Sequence, residues 1–419
     1  MKKYIYQILC AVLLGATSCS GFSDAANSEE VKPLQIDVNL KVDVDRLDKV
    51  KELTFKLDNY ADGYHYTKKL NDVKGVFDDV VPGIYTVSVS GMAYDTDGTE
   101  YYVNGNAVNK ALFDGTTTVD ITLKGLKVSP LVFKEIYYAG SKTPSGTNYF
   151  RDQFYEIYNN SDQIQYLDGL YFAQLYPTNA TRKLPVWEGG TDDNVCYGER
   201  VWRFPGHGTD YPLRPGESIV IAQFATNHRQ AIYNPDSPVD CSSAEFEFFP
   251  FNNRLPDMPA TNMDHVFYDG KAQFGTMPQF LTAVFGSAFA LFQVPEGDNW
   301  DPVKDKNYQA KEVGKKNIKC KIPINYILDA VECINNETYA DAKRIPAAVD
   351  AGMTWVGNTY CGLSVSRKVM RTESGEMQRR DNGALLFQDT NNSTDDFERG
   401  LKPELHRYET GVPQWHKNK

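Results

Sequence analysis

From Leu34 to about Leu126, apolar and polar residues alternate one by one, and a period of two argues for strands rather than helices. Leu34, Ile36, Val38 and Leu40 are separated by polar partners, and Val42 and Val44 continue the row. In an extended chain every second side chain shares a face, so such a row buries one side of a sheet. Val50, Leu53, Phe55 and Leu57 suggest the next strand. The stretch Ile84 to Ser90 gives another, and Tyr101–Val103 and Thr117–Leu123 two more. Short strands split by Asp, Gly and Pro turns predict an antiparallel β-sandwich over residues 34–126. Pro82-Gly83 supplies one turn, Pro fixing φ and Gly accepting φ > 0.

The 419 residues are enough for two or three domains, and 41% hydrophobic with 24% charged residues supports a normal core. The net charge of −11 argues against a nucleic-acid partner, which needs a basic face, and against docking on anionic lipid. No pair of cysteines has C-x-x-C spacing, so neither a zinc ribbon nor a thioredoxin-like redox motif is present.

Residues 1–18 read as an export signal: Met1-Lys2-Lys3, an apolar run from Ile5 to Gly15, then Ala16-Thr17-Ser18 before Cys19. The apolar run is shorter than the roughly 20 residues a membrane-spanning helix needs. Small residues directly before a Cys resemble the lipobox of bacterial lipoproteins, which implies cleavage before Cys19 and lipidation of that residue. Acyl chains hold a protein on a membrane at about 0.8 kcal/mol per buried methylene. Residues 19–33, polar and acidic, read as a tether between lipid and fold.

The stretch Gly75-Val76-Phe77-Asp78-Asp79-Val80-Val81-Pro82-Gly83-Ile84-Tyr85-Thr86-Val87 resembles the strand-turn-strand of transthyretin-like or carboxypeptidase-regulatory-like sandwiches. In residues 127–419 an ordered series follows: Phe133-Lys134-Glu135-Ile136, Tyr155-Glu156-Ile157-Tyr158-Asn159, Leu167-Asp168-Gly169-Leu170, Leu213-Arg214-Pro215-Gly216-Glu217, Leu328-Asp329-Ala330-Val331, Ser364-Val365-Ser366-Arg367, and Asp389-Thr390-Asn391-Asn392-Ser393-Thr394-Asp395-Asp396-Phe397. This series resembles a lamin-tail-type immunoglobulin-like domain, expanded by insertions near 177–211 and 224–323. The resemblance implies a second β-sandwich with long loops; within the insertions the residues themselves suggest short helices near 223–233, 242–248 and 279–285. It also places Cys333 and Cys361 side by side, which implies a disulfide between them. The whole arrangement is similar to an uncharacterised family of Bacteroides-type envelope lipoproteins, whose members tend to be encoded near TonB-dependent receptors.

Candidate chemistry is sparse. The six histidines show no His-x-x-x-His spacing, and His228 and His265 read as structural rather than as a metal pair. The acidic turn Asp389–Asp396 lacks the EF-hand pattern and reads as an Asx-bonded turn. Glu156, inside an apolar strand, is expected to accept hydrogen bonds, with Arg367 as a partner. No cofactor or metal site is expected. Aromatics collect in the insertions, among them Trp187, Trp202, Phe204, Phe248 and Phe249. They form either a binding surface or a local core under the loops.

The expectation is therefore an all-β lipoprotein of the outer membrane, anchored through its lipid and not an enzyme. It would act as a binding or accessory protein beside a TonB-dependent transporter in uptake of a nutrient or metal complex. Surface adhesion or glycan binding is the alternative, and an envelope hydrolase with a loop-assembled site the third. An open aromatic platform would favour glycan, and a flat apolar patch near the insertions a protein partner.

Overall fold

The computed structural model describes residues 32–417 apart from 60, 97–99, 114–116, 128, 249–254, 273–281, 341, 372–374 and 381. Cys19, Phe249 and the export signal lie outside the described residues. The fold is all-β. Among the described residues the α-helices are single turns, Ser393–Asp396 and Gln414–Lys417.

The first unit holds seven strands: β1 (Leu34–Asp43), β2 (Leu47–Asn59), β3 (Tyr64–Leu70), β4 (Lys74–Val80), β5 (Gly83–Asp95), β6 (Glu100–Leu112) and β7 (Thr118–Lys127). They form one curled sheet in the order β3-β2-β5-β6-β7-β1-β4. Its two edges meet where the Lys68 ammonium on β3 donates to the Val76 carbonyl on β4. The alternation does what it predicts: Ile36, Val38, Leu53, Phe55, Leu57, Val87 and Val89 line one core. Two details differ from expectation. β1 runs parallel to β7, so the sheet is not wholly antiparallel. Asp79, not Gly83, takes the left-handed conformation, with φ 58°. Gly83 is needed because a Cβ there would sit 2.6 Å from the Asn59 amide nitrogen.

The second unit stacks two sheets. One orders its strands Thr261–Asn262, Phe246–Glu247, Ser218–Ala222, Phe154–Asn159, Leu131–Tyr137, Ser364–Arg367 and Phe397–Leu401. The other runs Gln309–Lys311, Ile318–Pro323, Val195–Arg203, Tyr171–Leu175, Ala288–Phe292, Ile327–Ile334 and Thr354–Trp355. Phe133, Tyr155, Ile157, Ile219 and Ile221 from the first meet Phe172, Trp202, Phe289 and Leu291 from the second in a shared core.

The supposed insertions are not loops on a finished sandwich. Val195–Arg203 and Ala288–Phe292 flank Tyr171–Leu175 on both sides, so residues 177–211 and 224–323 supply central strands of the second sheet. The helix expected near 223–233 is a run of turns, and the one expected near 242–248 is a turn leading into the Phe246–Glu247 strand. There Cys241 N donates to Thr226 O and Asn234 N to His228 O, and Ala225, Val239, Cys241 and Ala244 cap the outer face of the first sheet. Residues 282–285 are not helical. Every residue of the Leu131–Tyr137, Phe154–Asn159 and Ser218–Ala222 strands is buried. Covering segments on the outer face thus enclose side chains that alternation alone would send to solvent.

Candidate functional site

The aromatics expected to bind are core. Trp202, Phe204 and Phe248 are wholly buried between the two sheets, and Trp202 stacks on Phe248 at a centroid distance of 4.2 Å. Trp187 is buried as well, stacked on Tyr197 at 3.9 Å, with Tyr176 edge-on. Strand pairing explains this: Trp202 sits on a central strand opposite Phe172, so it faces the sandwich interior. Of the two readings left open for these rings, the structure chooses the local core.

The Cys333–Cys361 disulfide is not formed. Cys196, Cys241, Cys320, Cys333 and Cys361 are all free thiols, four of them buried. Both Cys333 and Cys361 pack on the main core beside Tyr138. They are neighbours in packing without being bonded.

Glu156 does not pair with Arg367. Arg367 binds Asp329 at 2.6 Å and Asp389 at 2.8 Å, with Asp396 at 3.6 Å, and donates to the Phe133 carbonyl. Burial raises the Asp329 carboxyl to about 8 and that of Asp396 to about 7 against the pull of Arg367. Asp396 also accepts from the Thr390 and Asn392 backbone. The acidic turn is therefore a structural clasp around one arginine. A second clasp joins Arg344 to Glu332 at 2.6 Å.

His228 is buried, taking Tyr149 Oη at 2.8 Å and the Phe224 carbonyl at 2.9 Å. Burial lowers its pKa to about 4, so it is neutral at pH 7. His265 instead lines an open cavity of about 520 Å3 with Arg203, Asp264, Trp300 and Asp301. The two histidines do not meet, and among the described residues no group of three His, Cys, Asp or Glu is arranged to hold a metal.

What the fold does bring together is a chain of charges on the outer face of the first sheet. Lys134 occupies a β-bulge between Phe133 and Glu135, which turns it toward the same face as Glu156 and Ser218. Lys134 Nζ lies 2.7 Å from Glu156 Oε1, both side chains being fully buried. Ser218 Oγ donates to Glu156 Oε1 at 2.6 Å. The C-terminal segment crosses above. His406 Nδ1 reaches Ser218 Oγ at 2.9 Å and lies 3.6 Å from Glu156. Its Nε2 faces Glu245 Oε1 at 3.5 Å, and His416 Nε2 faces the same oxygen at 3.9 Å. Glu245 Oε2 accepts from the Val220 N–H at 2.7 Å.

Burial disfavours a charged His406, but the adjacent Glu245 and Glu156 carboxylates outweigh it and hold the imidazole above its ordinary pKa. Beside it, Arg407 grips Glu135 at 2.7 and 3.0 Å. Burial raises the Glu135 carboxyl, opposed by Arg407. Three residues of this crossing, His406, Tyr408 and Glu409, have left-handed φ of 53°, 64° and 55° without being glycine. Each costs on the order of 1 kcal/mol or more, so the anchors must hold the segment against its own backbone.

A Ser, a His and a Glu in sequence invite comparison with a hydrolytic triad. The hydrogen-bond inventory decides otherwise. Ser218 Oγ donates to Glu156 Oε1 and is also engaged by Thr410 Oγ1 at 2.7 Å and His406 Nδ1 at 2.9 Å. A hydroxyl so occupied, with no exposed surface, is not placed to attack a substrate. Sequence reasoning missed Lys134, Ser218, Glu245 and His406. The available signal was a lysine inside the apolar run Leu131–Tyr137.

A crystal structure of a DUF4876 family protein from Bacteroides thetaiotaomicron VPI-5482 is 53% identical to this chain, with a TM-score of 0.69, over 92% of this chain and 100% of that one. The chain belongs to the DUF4876 family. That family, described as a protein of unknown function, matches residues 214–404. In this DUF4876 protein the matched segment carries Ser218, Glu245, Arg344 and Arg367. Lys134 and Glu156 precede it, and His406 lies just past it. A structure from Bacteroides eggerthii DSM 20697, described as a candidate cell adhesion protein, is 11% identical with a TM-score of 0.18 over 73% of this chain and 81% of that one, too distant to indicate a shared fold. No curated protein matches.

Proposed function

We propose that this chain is a lipid-anchored, non-catalytic accessory protein of the outer membrane. It is held there through Cys19 and docks, by a ridge shared between its two insertions, on a TonB-dependent transporter that imports a nutrient or metal complex. The observation that carries the docking half is an apolar ridge. Leu184, Val186 and Val313 are 42%, 60% and 54% exposed, and they border one groove together with Tyr176 and Pro185. Val313 N bonds to Val186 O at 2.8 Å, and Trp187 pairs with Glu312. The ridge is thus an ordered extension of the second sheet, seated on the Tyr176–Trp187–Tyr197 stack. Exposed apolar surface on a rigid support is a feature of protein docking sites. Trp187, Trp202, Phe204 and Phe248 are buried, so these four rings lend no support to the glycan alternative.

The anchoring half rests on the sequence Ala16-Thr17-Ser18-Cys19 after a short apolar run, and on membership of a family with a Bacteroides representative. Two variants test the halves separately. Cys19→Ser should release the protein from washed membranes, and membrane retention equal to the parent would refute the anchor. Val186→Asp with Val313→Asp, in the lipidated protein, should cut recovery of a co-purifying transporter about tenfold or more without changing the melting temperature. Unchanged recovery would refute the docking surface.

A further inference from the structure

We propose that residues 404–411 form a proton-held latch across the Leu131–Tyr137, Phe154–Asn159 and Ser218–Ala222 strands, closed while His406 carries charge between Glu156 and Glu245 and opened when that charge is lost. Three independent features point to it.

The first is charge balance. The groups facing His406 are Lys134 and Glu135 on one strand, Glu156 on the next, Glu245 just before the Phe246–Glu247 strand, and His416 beyond the latch; Glu404 and Arg407 lie on the latch itself. Arg407 is committed to Glu135. With His406 charged, the order Lys134, Glu156, His406, Glu245 alternates in sign and sums to zero. With His406 neutral, one negative charge is left among buried groups, and only His416, 3.9 Å from Glu245, remains to offset it.

The second is strain. The left-handed residues His406, Tyr408 and Glu409 all fall inside the latch, so its backbone favours release once an anchor is lost. The third is incomplete satisfaction: Glu156 Oε2 and Glu245 Oε1 are buried with no hydrogen-bond partner, so the closed state depends on charge rather than on a full set of hydrogen bonds. Beyond the latch, Trp415 donates to the Pro212 carbonyl at 2.8 Å and packs on Tyr211 and Phe246. This anchor does not titrate, which confines the opening to the segment before it. Opening uncovers the Ser218 hydroxyl and the Lys134–Glu156 pair.

Native-state hydrogen exchange of the full mature protein, corrected for the intrinsic pH dependence of amide exchange, tests this. Between about pH 6 and about pH 9, protection over 404–411 should fall about tenfold for each pKa unit by which closure raises His406, while protection over 154–159 stays constant. His406→Gln should show the low protection at every pH. Glu245→Gln should move the loss to lower pH. The proposal is overturned if protection of 404–411 is flat, if it falls in parallel with 154–159, or if His406→Gln keeps the parent's pH dependence. Should His406→Gln not fold, the parent's pH series decides alone.

Discussion

Replacing Lys134 by Met tests whether the outer-face charges are held by one another. Lys134 Nζ and Glu156 Oε1 are 2.7 Å apart with both side chains fully buried. At an effective dielectric of about 20 the pair attracts by about 6 kcal/mol, most of which offsets the desolvation of two ions. Removing the lysine alone strands Glu156, although Ser218 still donates to it and charged His406 stays 3.6 Å away. Those survivors put the loss near the low end for a broken buried pair, about 3–4 kcal/mol. At about 2–4 °C per kcal/mol, the melting temperature should drop roughly 6–16 °C. Lys134→Met combined with Glu156→Gln removes both charges and should recover about 2 kcal/mol of that loss. Urea unfolding followed by tryptophan fluorescence is the right assay, because Trp187, Trp202, Trp300, Trp355 and Trp415 all lie after residue 127 and report the second unit alone. A single variant that costs under about 1 kcal/mol, or a double variant less stable than the single, would refute the reasoning.

Trp202→Ala should destabilise the second unit by about 3–5 kcal/mol through a core cavity, seen as an earlier urea midpoint. Any interaction lost in that variant should track unfolding rather than a missing contact. Of the five cysteines among the described residues, only Cys361 should react with a thiol reagent in native protein, whereas Cys196, Cys241, Cys320 and Cys333 should react only after denaturation. A Cys333–Cys361 peptide in unreduced mass spectra would contradict the structure. His228, lowered from 6.5 to about 4, contributes stability that is complete above its unfolded pKa and lost as pH falls toward 4. His228→Gln should therefore weaken the acid dependence of the urea midpoint relative to the parent, and an identical acid limb would count against a neutral buried imidazole. A fragment of residues 34–126 should unfold cooperatively with β-type circular dichroism, because its strands surround their own core. A disordered spectrum would show that it needs the second unit.

Period-two alternation and turn residues determined the all-β class and the first unit, because a strand's side-chain spacing is local and is written residue by residue. Ile36, Phe55 and Val87 face inward as their positions require. Several motifs between Phe133 and Phe397 likewise fall on strands, Phe154–Asn159 and Ser364–Arg367 among them, whereas 167–170 is a turn and the grip of Asp389 and Asp396 on Arg367 is set only by the fold. Two things were not local. Whether 177–211 and 224–323 are loops or sheet depends on which strand they pair with, and Val195–Arg203 and Ala288–Phe292 reveal their partners only in three dimensions. The same is true of burial on the outer face. Lys134, Glu156 and Ser218 occupy positions that would be solvated on a one-sided sheet, and segments more than 180 residues away in the chain cover two of them. That cover is what turns three polar side chains and a distant histidine into a single buried charge network, since the cost of leaving water makes each depend on the next.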